Sequence, residues 1–354
     1  MSESTKKNLA WINYAKVICM LLVYFQHTMN RLSFSSLPCS GSISAWYMPF
    51  CVNTFFFISG YLLFKKYRKI QFEKLDRKSW NNQYGTPLLS NIIFKIAIPT
   101  VIFSTIVLLK YVIRNDAGNF GFKIIKDTII SPSMWFTSAL TISELIFYFI
   151  FKFYRSQNFL VYSFISVFLA IIATQLTLSD FTIANDSHIP WRYKSGMIAT
   201  LFFVSGGIFE KYEHLISKRH KLVKWLFLIS LFLFYTISLT YCKGYIYTNI
   251  GRGKITILGY FVVISAILFI IYMCQYFKSN RFIDYFGRHT LALYFLSGAL
   301  PELVGILMMK IRHQLDWGQV ISVTILSMLF ACALTYLINR YAPYLLDLRL
   351  LKKK

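Results

Sequence analysis

Apolar runs of roughly twenty residues recur along this chain from one end to the other. Each is long enough to cross a hydrocarbon core about 30 Å thick as a helix. Inside lipid every backbone N–H and C=O must be satisfied within the protein, so only helices and closed barrels can span. Barrel strands alternate polar and apolar residues with period two, and these runs do not. The chain therefore reads as all-α, a polytopic transmembrane helical bundle of about ten spans. They fall near 11–30, 46–64, 88–109, 134–152, 159–179, 194–210, 222–242, 254–276, 288–309 and 319–340. Composition agrees: 56% of the 354 residues are hydrophobic and 15% charged, against about a quarter charged in a soluble domain. The longest stretches between runs, 65–87 and 110–133, are too short for a separate core. The expectation is one membrane domain over 1–354 with no appended soluble domain.

A net charge of +24 raises the question of nucleic acid, since basic chains bind phosphate. The basic residues argue against it. They sit in short clusters between apolar runs, as in Lys65, Lys66, Arg68, Lys69, Lys74, Arg77 and Lys78. That is the pattern of cytoplasmic loops in membrane proteins. With the N-terminus inside (Lys6, Lys7), cytoplasmic segments hold about twice as many Lys and Arg as external ones, which fixes the orientation. An even number of spans returns Arg349 and Lys352–Lys354 to the same side, so both termini are expected in the cytoplasm. The six cysteines, Cys19, Cys39, Cys51, Cys242, Cys274 and Cys332, show no CxxC and no metal-ligand spacing. Most lie inside apolar runs, where cysteine behaves as a small hydrophobe, so no metal site is expected. The first run is long, contains a charge and lacks a small-residue cleavage site, which reads as a retained span rather than a signal peptide.

An ionisable side chain at membrane depth costs roughly 2.5–3.5 kcal/mol on insertion scales, and such groups are functional candidates by default. Four stand out: Lys16 and His27 in the first span, Glu144 in the fourth and Glu302 in the ninth, with Lys95 near the start of the third. Lys16 and His27 are eleven residues apart. At about 100° per residue they return to within about 20° of one helical face, displaced by roughly 16 Å along the axis. Histidine exchanges a proton near neutral pH and suits general-base work. Lysine is a compact point charge that can hold a phosphate. The structural alternative has Lys16 snorkelling to the headgroups and His27 bonding a neighbouring helix. Spacing alone leaves both open. Glu302 follows Pro301, where a kink frees backbone carbonyls, and either acid can serve a structural pair as well as chemistry. In the second span Asn53, Ser59 and Gly60 lie one or two turns apart, where small or polar residues admit a neighbouring helix or a ligand.

These residues carry a resemblance. Lys16-x10-His27 resembles the basic-x10-His signature of acyltransferase family 3, the membrane acyltransferases of bacterial surface glycans. Met48-Pro49-Phe50 through Phe55-Phe56-Phe57-Ile58-Ser59-Gly60-Tyr61-Leu62 resembles its second-span motif, and Lys95-Ile96-Ala97-Ile98-Pro99 the start of its third. Trp135-Phe136, Phe202-Phe203-Val204-Ser205-Gly206-Gly207 and Phe286-Gly287-Arg288-His289-Thr290-Leu291-Ala292-Leu293-Tyr294-Phe295-Leu296 are similar to its fourth, sixth and ninth spans. The motifs follow in order over nearly the whole chain. Departures are Asn13, where the family often has Asp, Lys16 where many members have Arg, and Ser297, where the ninth-span motif often ends in His.

The resemblance implies O-acyl transfer in the bacterial cytoplasmic (inner) membrane, with an acetyl group passing from acetyl-CoA to a hydroxyl of a surface or lipid-linked glycan. No bound cofactor is implied; acyl-CoA is a co-substrate, and the partners are that donor, the glycan acceptor and membrane lipids. In this reading His27 is the general base, Lys16 and Lys95 hold the donor's phosphates together with the 65–78 cluster, and Asn53 or Ser59 serves the oxyanion. The rival is a secondary transporter or flippase, since a bundle with buried ionisable groups also describes one; no inverted repeat is visible. A membrane sensor without chemistry is the third reading.

Overall fold

The computed structural model describes residues 10–31, 37–68, 76–113, 125–154, 158–179, 190–217, 220–241, 248–249, 254–311 and 316–353. Lys6, Lys7, Lys69, Lys74, Cys242 and Lys354 lie outside the described residues.

A helix occupies each of the ten predicted stretches. They are α1 (Ala10–Arg31), α2 (Ser40–Tyr67), α3 (Lys78–Val107), α4 (Trp135–Phe153), α5 (Phe159–Ser179), α6 (Tyr193–Ser217), α7 (Lys221–Tyr241) and α8 (Ile257–Cys274). After α8 comes a short helix, α9 (Arg281–Arg288), then the pair α10 (Thr290–Ser297) and α11 (Leu300–Ile311), and last α12 (Trp317–Tyr341). Seven helices among the described residues are long and apolar enough to cross a membrane, or eight when the pair α10 and α11 counts as one broken span. Besides the short α9, the helices that fall short of that measure are α1 and α6. In α1 the cause is visible: Asn13, Lys16, Gln26, His27 and Asn30 share 22 residues. In α6 the last turns carry Glu210, Lys211 and Glu213.

Three local features have direct causes. First, α3 begins ten residues before its predicted start at 88, inside the stretch 65–87 that separates the apolar runs. A π-helical turn over Asn81–Gly85 precedes a new α-turn at Thr86–Asn91. Pro87 then sits in the first turn of that segment, where its missing N–H costs nothing. Gly85 is required there because a Cβ would lie 2.4 Å from Cζ3 of the fully buried Trp80. Second, α10 and α11 meet at a 53° bend just before Pro301, where the sequence placed a kink. Third, a two-stranded antiparallel hairpin, β1 (Thr248–Asn249) with β2 (Lys254–Ile255), interrupts the helical pattern between α7 and α8.

Lipid faces are apolar outward, the reverse of a soluble protein. On α5 the exposed side chains Leu160, Phe164, Phe168 and Ile171 follow a helical stripe, as do Leu222, Leu226, Ile229 and Leu233 on α7 and Ile321, Ile325 and Leu329 on α12. Lipid tails are as apolar as these side chains, so association between helices rests on close packing and interhelical hydrogen bonds.

The chain divides into two compact units. The first holds residues 1–55, 219–246 and 258–342, with α1 in contact with α9, α10, α11 and α12. Tyr24 OH donates to the Leu293 carbonyl at 2.8 Å, Cys51 Sγ to the Cys19 carbonyl at 3.1 Å, and Thr324 Oγ1 to Thr28 Oγ1 at 3.3 Å. Met29 and Val320 close one end of the unit against Phe25, Leu37 and Trp317. Cys19, Cys51 and Cys274 are buried free thiols, in keeping with their reading as small hydrophobes.

The second unit holds residues 56–218, 247–257 and 343–354. Its centre is a backbone-to-backbone crossing of α2 and α6. A Cβ on Gly60 would lie 2.1 Å from the Phe203 carbonyl oxygen, and one on Gly206 2.0 Å from the Phe57 carbonyl oxygen. Each glycine therefore seats the other helix. Ser143 Oγ on α4 donates to the Gly196 carbonyl on α6 at 2.9 Å. The C-terminal residues after α12 fold back as 3-10 turns, and Arg349 Nη1 reaches Ser90 Oγ at 3.2 Å.

Candidate active site

The predicted site starts on α1, which runs unbroken from Ala10 to Arg31. That continuity keeps Lys16 and His27 in the register their spacing implies. A helical side chain lies over the turn on its N-terminal side. Lys16 is half-buried beside Ile12 and within one turn of Cys19 and Met20, all buried. Among the described residues no ion pair or hydrogen bond reaches its ammonium. His27 is half-buried over Val23 and Tyr24, both buried. On the residue before it, Gln26 Nε2 donates to Asn30 Oδ1 at 2.8 Å, and Tyr47 OH donates to Gln26 Oε1.

One turn before Lys16, α1 is held against α9. A Cβ on Gly287 would lie 2.4 Å from Asn13 Cβ, so the two helices touch here only because Gly287 has no side chain. Asn13 Nδ2 donates to Asp284 Oδ1 at 2.9 Å, and the other oxygen of Asp284 accepts from Ser279 Oγ. Asn280 caps α9 by accepting from the Phe282 and Ile283 N–H groups. Asp284 was not singled out from the sequence, because its partner lies 271 residues away. The signal was Asn13 itself: an acid at that position would face the acid at 284.

The other candidates are distributed as follows. Asn53, in the first unit, is buried, and its Nδ2 donates to the Pro49 carbonyl one turn back at 2.5 Å. Glu302, also in the first unit, stands in the first turn of α11, where the unpaired N–H groups of a helix start favour an acid. Ser297 Oγ donates to the Tyr294 carbonyl at 2.7 Å within its own helix. The second unit holds Ser59, Lys95 and Glu144. Ser59 is half-buried next to the Gly60 crossing, and its hydroxyl makes no hydrogen bond among the described residues. Glu144 is half-buried on α4 and likewise makes no ion pair or hydrogen bond among them. Lys95 is exposed on a π-helical turn and lies 3.8 Å from Asp347, which Arg349 grips through two bonds of 2.8 Å.

Two charged groupings in the second unit were not read from the sequence. Arg68 Nη1 donates to Glu210 at 3.2 Å, with the Glu210 side chain almost fully covered. Tyr61 OH donates to both oxygens of Glu213 at 3.1 Å and accepts from Lys65 at 3.1 Å. Only the basic members of these groups belonged to a cluster that composition could flag.

With the helices and these residues placed, the comparisons with known proteins add a family. A model described as an acyltransferase domain matches residues 9–337, from the start of α1 to within the last turns of α12. No curated protein and no solved structure matches the chain. The match covers every motif that carries the resemblance, from Lys16-x10-His27 to the ninth-span segment at 286–296. An acyl-transferring enzyme carried on a multi-pass bundle of membrane-length helices accounts for all of this. The chain belongs to acyltransferase family 3.

Proposed function

We propose that the protein moves an acetyl group from cytoplasmic acetyl-CoA to a hydroxyl of a surface or lipid-linked glycan, in the bacterial inner membrane, with His27 as general base. The observation that carries this reading is the first helix. It is continuous, it places a histidine and a lysine on one face, and the lysine has no counter-ion among the described residues. A cation left unpaired on a largely buried stripe favours the arrival of an anion, and the donor supplies phosphates.

In the reaction the neutral imidazole of His27 accepts the proton of the acceptor hydroxyl as its oxygen attacks the thioester carbonyl. The tetrahedral intermediate then collapses with cleavage of the C–S bond. The coenzyme thiolate leaves and takes up the proton from the imidazolium, so His27 returns to its neutral form. Asn53 uses one amide hydrogen on Pro49 and keeps a second for the developing oxyanion; Ser59 offers an uncommitted hydroxyl for a polar group of substrate. Lys16 holds donor charge. Lys95 is already paired with Asp347, which offsets its charge, so its share is the smaller one.

The test is mass spectrometry of surface glycans from cells with and without the protein. A difference of one acetyl group on a glycan supports the reading, and identical glycan masses contradict it. The broken span α10–α11, like the buried ionisable groups, also fits a transporter. Substrate counterflow in vesicles without consumption of acyl-CoA would favour that alternative.

A further inference from the structure

In the second unit the C-terminal ends of α2, α4 and α6 meet the N-terminal end of α5 around a cavity of about 220 Å³. Its walls are aromatic: Tyr67, Phe151, Phe159 and Tyr162 pack edge-to-face or tilted against one another at ring separations of 5.3–6.1 Å. Its rim is charged. Arg68 is more than half exposed while bonded to the buried Glu210, and the Lys211 ammonium rides 5.5 Å above the Phe159 ring. Gly207 makes room for this wall, since a Cβ there would lie 2.4 Å from Phe64 and 2.9 Å from Phe159.

The chemistry narrows the occupant. A lipid tail has no use for three charged groups. A quaternary ammonium suits aromatic walls but meets two cations at the rim. A simple phosphate suits the cations but leaves the rings unused. A purine nucleotide uses every part: its base stacks on the rings, its amino group can donate to Glu210, and its phosphates meet Arg68 and Lys211. The volume is below the ~300–1,000 Å³ of pockets that take a whole drug-sized ligand, so only one end of a long donor fits. Lys65, Lys66 and Lys152 lie at the same helix ends. The excess of Lys and Arg in cytoplasmic segments assigns that end to the cytoplasm, where acyl thioesters are available.

We propose that this aromatic cavity with its Arg68–Glu210–Lys211 rim receives the purine-nucleotide end of the acyl-CoA donor. This rests on the acyl-CoA reading above, and goes beyond it by naming a subsite and its residues.

The test is equilibrium binding to the full chain in lipid nanodiscs, using CoA, adenosine 3′,5′-bisphosphate and pantetheine as probes. Tyr162→Ala removes a stacking ring, and Lys211→Ala removes an exposed cation with little risk to folding. The expected result is that adenosine 3′,5′-bisphosphate competes with CoA. Both variants then weaken binding of CoA and of the bisphosphate, about tenfold for Tyr162→Ala and severalfold for Lys211→Ala, and leave pantetheine binding unchanged. If the wild-type chain binds CoA and Lys211→Ala binds it equally well, or if pantetheine is weakened in parallel, the cavity proposal fails and the donor reading stands. If the wild-type chain binds none of the three probes, both fail.

Discussion

The crossing of α2 and α6 offers a sharp test of how the second unit is held together. Replacing Gly206 by alanine puts a methyl group 2.0 Å from the Phe57 carbonyl oxygen and 2.7 Å from the Tyr61 nitrogen, where ordinary contact begins at 3.4 Å. The obstruction is backbone, so no side chain can swing aside. The helices must part by about 1.4 Å, and the rings packed around the crossing, Phe56 on Phe203 and Phe57 on Phe209, lose contact with them. Overpacking costs typically 1–3 kcal/mol, and a backbone obstruction belongs at the upper end, about 3 kcal/mol. Gly60→Ala meets the Phe203 carbonyl oxygen at 2.1 Å and should cost about as much. Because one separation relieves both clashes, the double variant should cost less than the two singles summed. Gly298→Ala is the control: a Cβ there has nothing within 4 Å, and its effect should stay within about 0.5 kcal/mol. Unfolding in mixed detergent, followed by tryptophan fluorescence, gives the comparison. A Gly206→Ala chain as stable as wild type would refute the packing argument.

Three further outcomes are expected. Asn13→Asp sets two carboxylates face to face across the α1–α9 contact and should lower stability by about 1–3 kcal/mol, while Asn13→Asp with Asp284→Asn should recover it; failure of the second change to rescue would show that the pair does not hold these helices. Lys16→Ala should raise the KM for acyl-CoA in transfer assays and Lys16→Arg should largely preserve it, and identical behaviour of the two would remove the phosphate-holding role. The Arg349 guanidinium beside Asp347 holds that carboxyl below its usual range, with burial opposing and Lys95 assisting. A carboxyl depressed in the folded state stabilises at pH above its unfolded value and loses that contribution as pH falls through the folded one. The C-terminal clasp should therefore survive at pH 5 and release only below about 3.9; Arg349→Ala should move release of a C-terminal fluorophore to higher pH, and an unmoved midpoint would count against the clasp.

The bundle was legible because length and apolarity are local properties: each stretch from 88–109 to 319–340 could be recognised without its neighbours. Helix ends were less legible, since hydropathy marks the membrane rather than the end of the helix. Thus α6 continues past 210 to Ser217, where Glu210 and Glu213 bond Arg68 and Tyr61. The early start of α3 was hidden because 65–87 reads as a polar stretch between apolar runs, whereas a π-turn that seats Trp80 carries the helix back into it. The Pro301 break was visible because proline acts on its own backbone. At the site, the register of Lys16 and His27 could be counted along one helix. The Asn13–Asp284 bond and the Lys95–Asp347 pair could not, because each joins residues more than 200 positions apart and only the tertiary fold brings them together.

General-base transfer by His27 is tested by measuring transfer of labelled acetyl from acetyl-CoA to membrane glycan by His27→Ala, compared with wild type at equal membrane abundance. The mechanism predicts a loss of at least about 100-fold, the usual contribution of a positioned general base, in a chain that still inserts and folds. Near-normal labelling by His27→Ala would contradict it.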